Sequence, residues 1–149
     1  MAEDQLEKTV KELQKKIDDD EKQMYSPVVI REYLNPTNFG ILEHPDAVGV
    51  IKGLCGDTMK MTLKIQNGTI QDARFWTDGC GATLASGNML IKMIKGKTLK
   101  QVSNLDSKQL LDALNGLPKE HTHCALLAIN TFHEAFKNYE KKKKTRKIL

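Results

Sequence analysis

Between residues 47 and 76 apolar side chains recur at about every second position, and from Ala82 onward at every third or fourth. That change of period restricts the chain to a sheet followed by helices. Val48 and Val50 alternate in a first run and Met59, Met61, Leu63 and Ile65 in a second; Ile70, Ala73, Phe75 and Trp76 fall in a third. Asn67-Gly68 joins the last two runs, and both residues tolerate the positive φ that a tight hairpin demands. The helical pattern then runs through Leu84, Met89, Leu90, Met93 and Ile94 and stops at Lys95-Gly96. A further short helix, capped by Asp106 or Ser107, carries Leu110, Leu111 and Leu114 and ends at Gly116 and Pro118. Cys124 opens the last helix, in which Leu127, Phe132 and Phe136 have core character. Strands first and helices after predict an α+β fold, a small antiparallel three-stranded sheet covered by helices.

Two further helices precede the sheet. Residues 3–23 carry Leu6, Val10, Leu13 and Ile17 on one face, a stripe that stops at Asp18-Asp19-Asp20. It is too short for a sustained coiled coil, so this extra N-terminal helix is expected to lie on the domain surface or on a second subunit, in a homodimer or small homo-oligomer. From Tyr25 to Tyr33 a short helix is capped by Ser26 with Pro27 at its first position, and Asn35-Pro36 ends it. The 149 residues fit one domain. The expected division is a helical extension over 1–24, a folded domain over 25–140 and a basic tail over 141–149.

Charge is divided unevenly. Residues 137–149 carry seven basic groups and one acidic group, a net +6, so the remainder of this +4 chain stands at −2. The tail is read as a solvated helix end whose cations complement the C-terminal dipole; nucleic-acid binding rests on it alone and is not expected. No apolar stretch approaches the roughly 20 residues that cross a bilayer. The first 25 residues, with Glu3, Asp4, Asp18, Asp19, Asp20 and Glu21, resemble neither a secretory signal nor a transit peptide, so a cytoplasmic location is expected. Three cysteines in such a compartment point to metal or thiol chemistry and away from a disulfide framework.

The settings of those cysteines are suggestive. Cys55 stands in Cys55-Gly56-Asp57, Cys80 in Gly79-Cys80-Gly81, and Cys124 directly follows His123. Glycines beside a cysteine let the backbone approach a bulky inorganic core. Cys80 and Cys124 both fall near predicted helix N-termini, whose partial positive charge is expected to favour the thiolate in each. Cys55, Cys80 and Cys124, with Asp57 and His123, are therefore the candidate ligands. His121, two residues from His123, is an alternative ligand but is read first as a loop histidine; His44 and His133 are read as surface or packing residues, and the methionines as core filler.

Taken together, Tyr25-Ser26, Asn35-Pro36-Thr37-Asn38-Phe39-Gly40, Cys55-Gly56-Asp57-Thr58-Met59-Lys60, Gly79-Cys80-Gly81-Ala82, Lys95-Gly96-Lys97-Thr98-Leu99 and His123-Cys124 resemble the IscU and NifU N-terminal family of iron–sulfur cluster assembly scaffolds. The resemblance runs from about Tyr25 to Tyr139. It implies that Cys55, Cys80 and Cys124 receive sulfur and ligate a nascent [2Fe-2S] cluster, or alternatively a [4Fe-4S] cluster, with Asp57 or His123 as the remaining ligand. A carboxylate or imidazole is a less committed donor than a fourth thiolate and eases release. The implied partners are a cysteine desulfurase of the IscS or NifS kind, an electron-donor ferredoxin and apo iron–sulfur acceptor proteins. Cys124 is the implied first persulfide acceptor, swinging on a flexible loop at Leu117-Pro118. The chain itself is expected to be a non-enzyme, since cysteine cleavage belongs to the desulfurase.

One departure stands out. Where the family reads Leu-Pro-Pro-Val-Lys before the histidine and cysteine, this chain has Leu117-Pro118-Lys119-Glu120-His121, which argues against dedicated recognition by an Hsp70 chaperone. The rival reading is a SufU-like sulfur acceptor holding zinc, for which three cysteines with Asp or His are also a good tetrahedral set, and zinc is expected to occupy the site when no cluster does. A zinc hydrolase or deaminase would need a glutamate base beside the ligands, and neither His-x-Glu nor Pro-Cys-x-x-Cys occurs.

Overall fold

The computed structural model describes residues 2–148, with side chains described over 4–20 and 24–145. The acidic side chains of Glu3 and Glu21 and the basic ones of Arg146 and Lys147, on which part of the charge reading rests, lie outside the described residues. Helices α1 (Ala2–Met24) and α2 (Pro27–Leu34) precede strands β1 (Ala47–Lys52), β2 (Thr58–Gln66) and β3 (Thr69–Thr77). Helices α3 (Gly81–Ile94), α4 (Leu99–Val102), α5 (Ser107–Ala113) and α6 (Thr122–Ile148) follow, the last preceded by a 3₁₀ turn, Lys119–His121. The strands form one antiparallel sheet in the order β1-β2-β3.

Local chemistry sets these boundaries. The Ser26 hydroxyl accepts a hydrogen bond from the Val29 N–H and donates to the Leu114 carbonyl, so one cap starts α2 and ties it to the end of α5. Asn67 and Gly68 take φ of 54° and 74°, which makes the β2–β3 connection the tight turn that the pair predicts. Reciprocal capping boxes start α4 at Thr98 and Gln101 and α5 at Asp106 and Gln109.

The alternation of the strands lays Ala47, Met59, Met61, Leu63, Ala73 and Phe75 on one face, where they are buried under α3 and α6 with Leu90, Ile91, Ile94, Phe132 and Ala135. Gly49 sits between Met61 of β2 and the backbone of α6; a methyl group there would lie 2.5 Å from the Ala135 nitrogen and closer still to the Thr131 carbonyl oxygen. Helix α6 therefore rests directly on the strand. Glu32, its side chain wholly buried, accepts hydrogen bonds from Asn88 and Lys92 of α3 and from its neighbour Arg31, and Asn88 in turn accepts from the Asn38 N–H. That network joins α2, the 35–40 loop and α3. Burial works to raise the Glu32 pKa, but Lys92, Asn88 and Arg31 together hold it below the usual carboxylate value.

The stripe of α1 has no seat on the domain: Leu6, Val10, Leu13 and Ile17 are all more than half exposed. Of the two expectations for this helix, lying on the domain's own surface is not met.

Candidate metal centre

Four segments meet at one end of the sheet. The β1–β2 loop carries Cys55 and Asp57 and is closed by hydrogen bonds from the Gly53 N–H to the Asp57 carbonyl (2.7 Å) and from the Gly56 N–H to the Gly53 carbonyl (3.0 Å). Cys80 is the N-cap of α3. The 3₁₀ turn carries His121, and the first turn of α6 carries His123 and Cys124. The Leu117-Pro118 segment therefore does not run freely into Cys124: the 3₁₀ turn, closed by a bond from the His121 N–H to the Pro118 carbonyl, stands between them.

One sulfur of Cys80, one of Cys124 and one ring nitrogen of His121 lie within 4.8 Å of one another. Metal–thiolate bonds of about 2.3 Å at a tetrahedral centre separate ligand atoms by just under 4 Å, so small side-chain movements close this group on one ion. His121, read first from sequence as a loop residue, thus enters the donor group. Its separation of three residues from Cys124 sets both on one side of a helical turn, which is the signal that could have found it. His123 stands beside the pair, with its Nε2 3.7 Å from Cys124 Sγ, and its ring centroid is 6.4 Å from that of His121. Cys55 is exposed on its loop and outside the group.

Thr83, a residue with no place in the sequence reading, connects the rest. Its fully buried Oγ1 lies 3.3 Å from Cys124 Sγ, 3.4 Å from Asp57 Oδ2 and 3.7 Å from Cys80 Sγ. The spacing Cys80-x-x-Thr83 at a helix start was the available clue, since residues three apart share a face.

The two neighbouring thiols differ. At Cys80 burial opposes ionisation, but the Thr83 and Ala82 backbone N–H groups and the Thr83 hydroxyl outweigh it and lower the pKa below the ordinary thiol value. At Cys124 burial dominates, the Thr83 hydrogen bond opposes it only in part, and negative charge at Cys80 and Asp57 adds to it, so the thiol is pushed up to about 11. The expectation that both cysteines favour the thiolate holds for Cys80 and fails for Cys124. Proximity to a helix N-terminus is a local effect; here tertiary burial and a neighbouring anion exceed it. Of the two thiols Cys80 is the one that ionises first, and a metal ion that binds both sulfurs displaces the Cys124 proton. Cys124 is also only 1 % exposed, so the outward-reaching thiol expected at this position is absent from this conformation. Cys55 and Cys80 are the exposed ones.

A cavity of about 290 Å³ opens beside the site between Ile51, Lys52, Gly53 and Leu54 and the α6 residues His123, Leu126, Leu127 and Asn130. Leu54, next to Cys55, is 95 % exposed. Among the described residues no helix is long and apolar enough to cross a membrane.

Residues 24–146 match the NifU-like N terminal domain family. The chain is 41 % identical over 118 residues to the iron-sulfur cluster assembly scaffold protein IscU of Aquifex aeolicus, an alignment covering 77 % of this chain and 75 % of that protein. It is 37 % identical over 120 residues to the iron-sulfur cluster assembly scaffold protein IscU 1 of Archaeoglobus fulgidus, covering 80 % and 78 %. In three dimensions it resembles the crystal structure of a NifU-like protein (N-terminal) from Brucella abortus, with a TM-score of 0.66 at 21 % identity, covering 80 % of this chain and 96 % of that one; this likeness speaks for the fold.

Proposed function

This chain belongs to the NifU-like N-terminal domain family, and from that membership we propose that it is a scaffold on which an iron–sulfur cluster is assembled and from which it is handed to apo-proteins. The observation that carries the reading is the meeting of Cys80, Cys124 and His121 within 4.8 Å, with Asp57 held to the same centre through Thr83. Cys55, Cys80 and Cys124 supply thiolates to the cargo, a [2Fe-2S] cluster, and Asp57, His121 or His123 supplies the less committed donor that lets it leave.

Sulfur arrives as a persulfide on a cysteine desulfurase. The acceptor thiolate attacks the terminal sulfur; one S–S bond forms as the other breaks, and the donor cysteine leaves as its thiolate. Cys80, exposed and with its thiolate favoured, is the ready acceptor in this conformation, ahead of Cys124. Two electrons per sulfur then reduce the transferred atom to sulfide, the work of an electron-donor ferredoxin. The chain performs no turnover of its own under this reading, residues 1–24 and 141–149 are appendages to the scaffold, and a cytoplasmic location goes with it.

A second reading, zinc-dependent sulfur acceptance, is favoured by one observation: an S₂N group with a carboxylate nearby suits tetrahedral zinc as well as iron. Anaerobic reconstitution with iron, desulfurase and cysteine, followed by incubation with an apo-ferredoxin, separates the two. The scaffold reading expects a visible chromophore that moves to the ferredoxin. Sulfur acceptance without any iron-bound chromophore, and only with zinc present, favours the second.

A further inference from the structure

Among the described residues, one polar side chain that is not itself a candidate ligand faces three that are. Thr83 lies in the first turn of α3 with its side chain wholly buried, and its hydroxyl faces Cys124, Asp57 and Cys80 together. A hydroxyl has one proton to give. Its distances to Asp57 and Cys124, 3.4 and 3.3 Å, describe a proton shared between the two, and the first is long for an O–H···O bond, so neither contact is committed. Gly79 makes room for this arrangement: a methyl group there would lie 2.8 Å from Cβ, Cγ2 and Oγ1 of Thr83.

We propose that Thr83 is the positioning residue of this centre, a latch whose hydroxyl holds the Cys124 sulfur in its retracted place beside Cys80 and Asp57 until an incoming ion or sulfur draws Cys124 itself away. The contacts divide the sulfurs into one held inward and two presented. Cys124 is 1 % exposed and bonded to Thr83, whereas Cys80 and Cys55 are open. The same hydroxyl couples the β1–β2 loop to α6, because when Asp57 turns toward a metal ion the Thr83 proton is left to Cys124 alone. A valine in place of Thr83 keeps the shape and removes all three contacts. A serine keeps the contacts and removes only the methyl group.

The proposal rests on the reading of Cys124 as a site sulfur, but its test uses the cluster-free protein, so failure of the latch and failure of cluster assembly are separate results. Thiol labelling of the metal-free, reduced chain with iodoacetamide, followed residue by residue by mass spectrometry, gives the rate at Cys124 with Cys55 as internal reference. In Thr83→Val the Cys124 rate constant for the fully ionised thiol, taken from the pH profile of labelling so that the change in thiolate fraction drops out, rises roughly fivefold, the factor that one ordinary hydrogen bond represents, while that of Cys55 is unchanged. Thr83→Ser labels like the parent. A purely packing role reverses the pattern, with Ser opening the site and Val leaving it closed, and that result overturns the proposal, as does equal Cys124 labelling in all three proteins. Should Thr83→Val fail to fold, as judged by circular dichroism and Trp76 fluorescence, Gly79→Ala serves instead. Its methyl group displaces the Thr83 side chain and raises Cys124 labelling alone, whereas parent-like labelling in that variant refutes the latch.

Discussion

Replacing Gly49 by alanine tests the packing on which the centre depends. A methyl group at that position would approach the Ala135 nitrogen to 2.5 Å and the Ala135 Cα to 3.0 Å, with the Thr131 carbonyl oxygen nearer still. Ordinary contacts for such atoms lie near 3.5 Å, so β1 and α6 must separate by roughly 1 Å. Both obstacles are backbone, and no side chain can swing aside. Overpacking of this kind costs about 1–3 kcal/mol, with the upper half of that range expected here. Alanine recovers about 0.5–1 kcal/mol relative to glycine through its smaller loss of backbone freedom in a strand, which leaves a net destabilisation of about 2 kcal/mol. With a urea m-value of about 2 kcal/mol/M the unfolding midpoint falls by about 1 M at unchanged slope. The displaced helix also carries Cys124, so its labelling rises in parallel. A midpoint equal to that of the parent, with Cys124 still protected, refutes the claim that α6 rests on the strand at Gly49.

Glu32→Ala removes the common acceptor of Asn88, Lys92 and Arg31 and strands a fully buried amide, so unfolding stability at neutral pH drops by about 3 kcal/mol in denaturant titration. Because the folded-state pKa of Glu32 is depressed, its contribution is complete above the unfolded value and lost as pH falls through the folded one; the stability gap between the parent and Glu32→Gln narrows as pH falls below the ordinary carboxylate value of 4.5. His121→Ala weakens cobalt(II) binding, followed by thiolate-to-metal absorption, by at least about tenfold, and more than His123→Ala does. Asp57→Ala retains a reconstituted cluster longer than the parent under identical anaerobic conditions, read from the decay of the visible absorption; faster loss contradicts the role of Asp57 in release.

What was legible in the sequence was local. Asn67-Gly68, Ser26-Pro27 and the cap at Asp106 act within four residues of themselves, and the structure bears out each. The helical spacing of Leu6, Val10, Leu13 and Ile17 identified α1, but a period carries no information about what covers the stripe. At the centre, the motifs marked the cysteines, whereas their differing protonation depends on burial that only the packed α3 and α6 create. The sequence ranks His121 only as an alternative ligand because residue 123 adjoins the cysteine; on a helical turn the neighbour in space is three residues away. Thr83 was invisible for a related reason. A threonine at a helix start is ordinary, and only the approach of Asp57 and Cys124 from distant segments turns its hydroxyl into a junction.

X-ray absorption at the iron edge of the reconstituted protein tests the central claim most directly, read beside the Cys55→Ser, Cys80→Ser and Cys124→Ser variants. Convergence of three thiolates on one labile cargo requires a first shell dominated by sulfur, with a minor nitrogen or oxygen component, and loss of that shell in each variant. Iron surrounded mainly by nitrogen and oxygen, or a sulfur shell indifferent to all three substitutions, contradicts it.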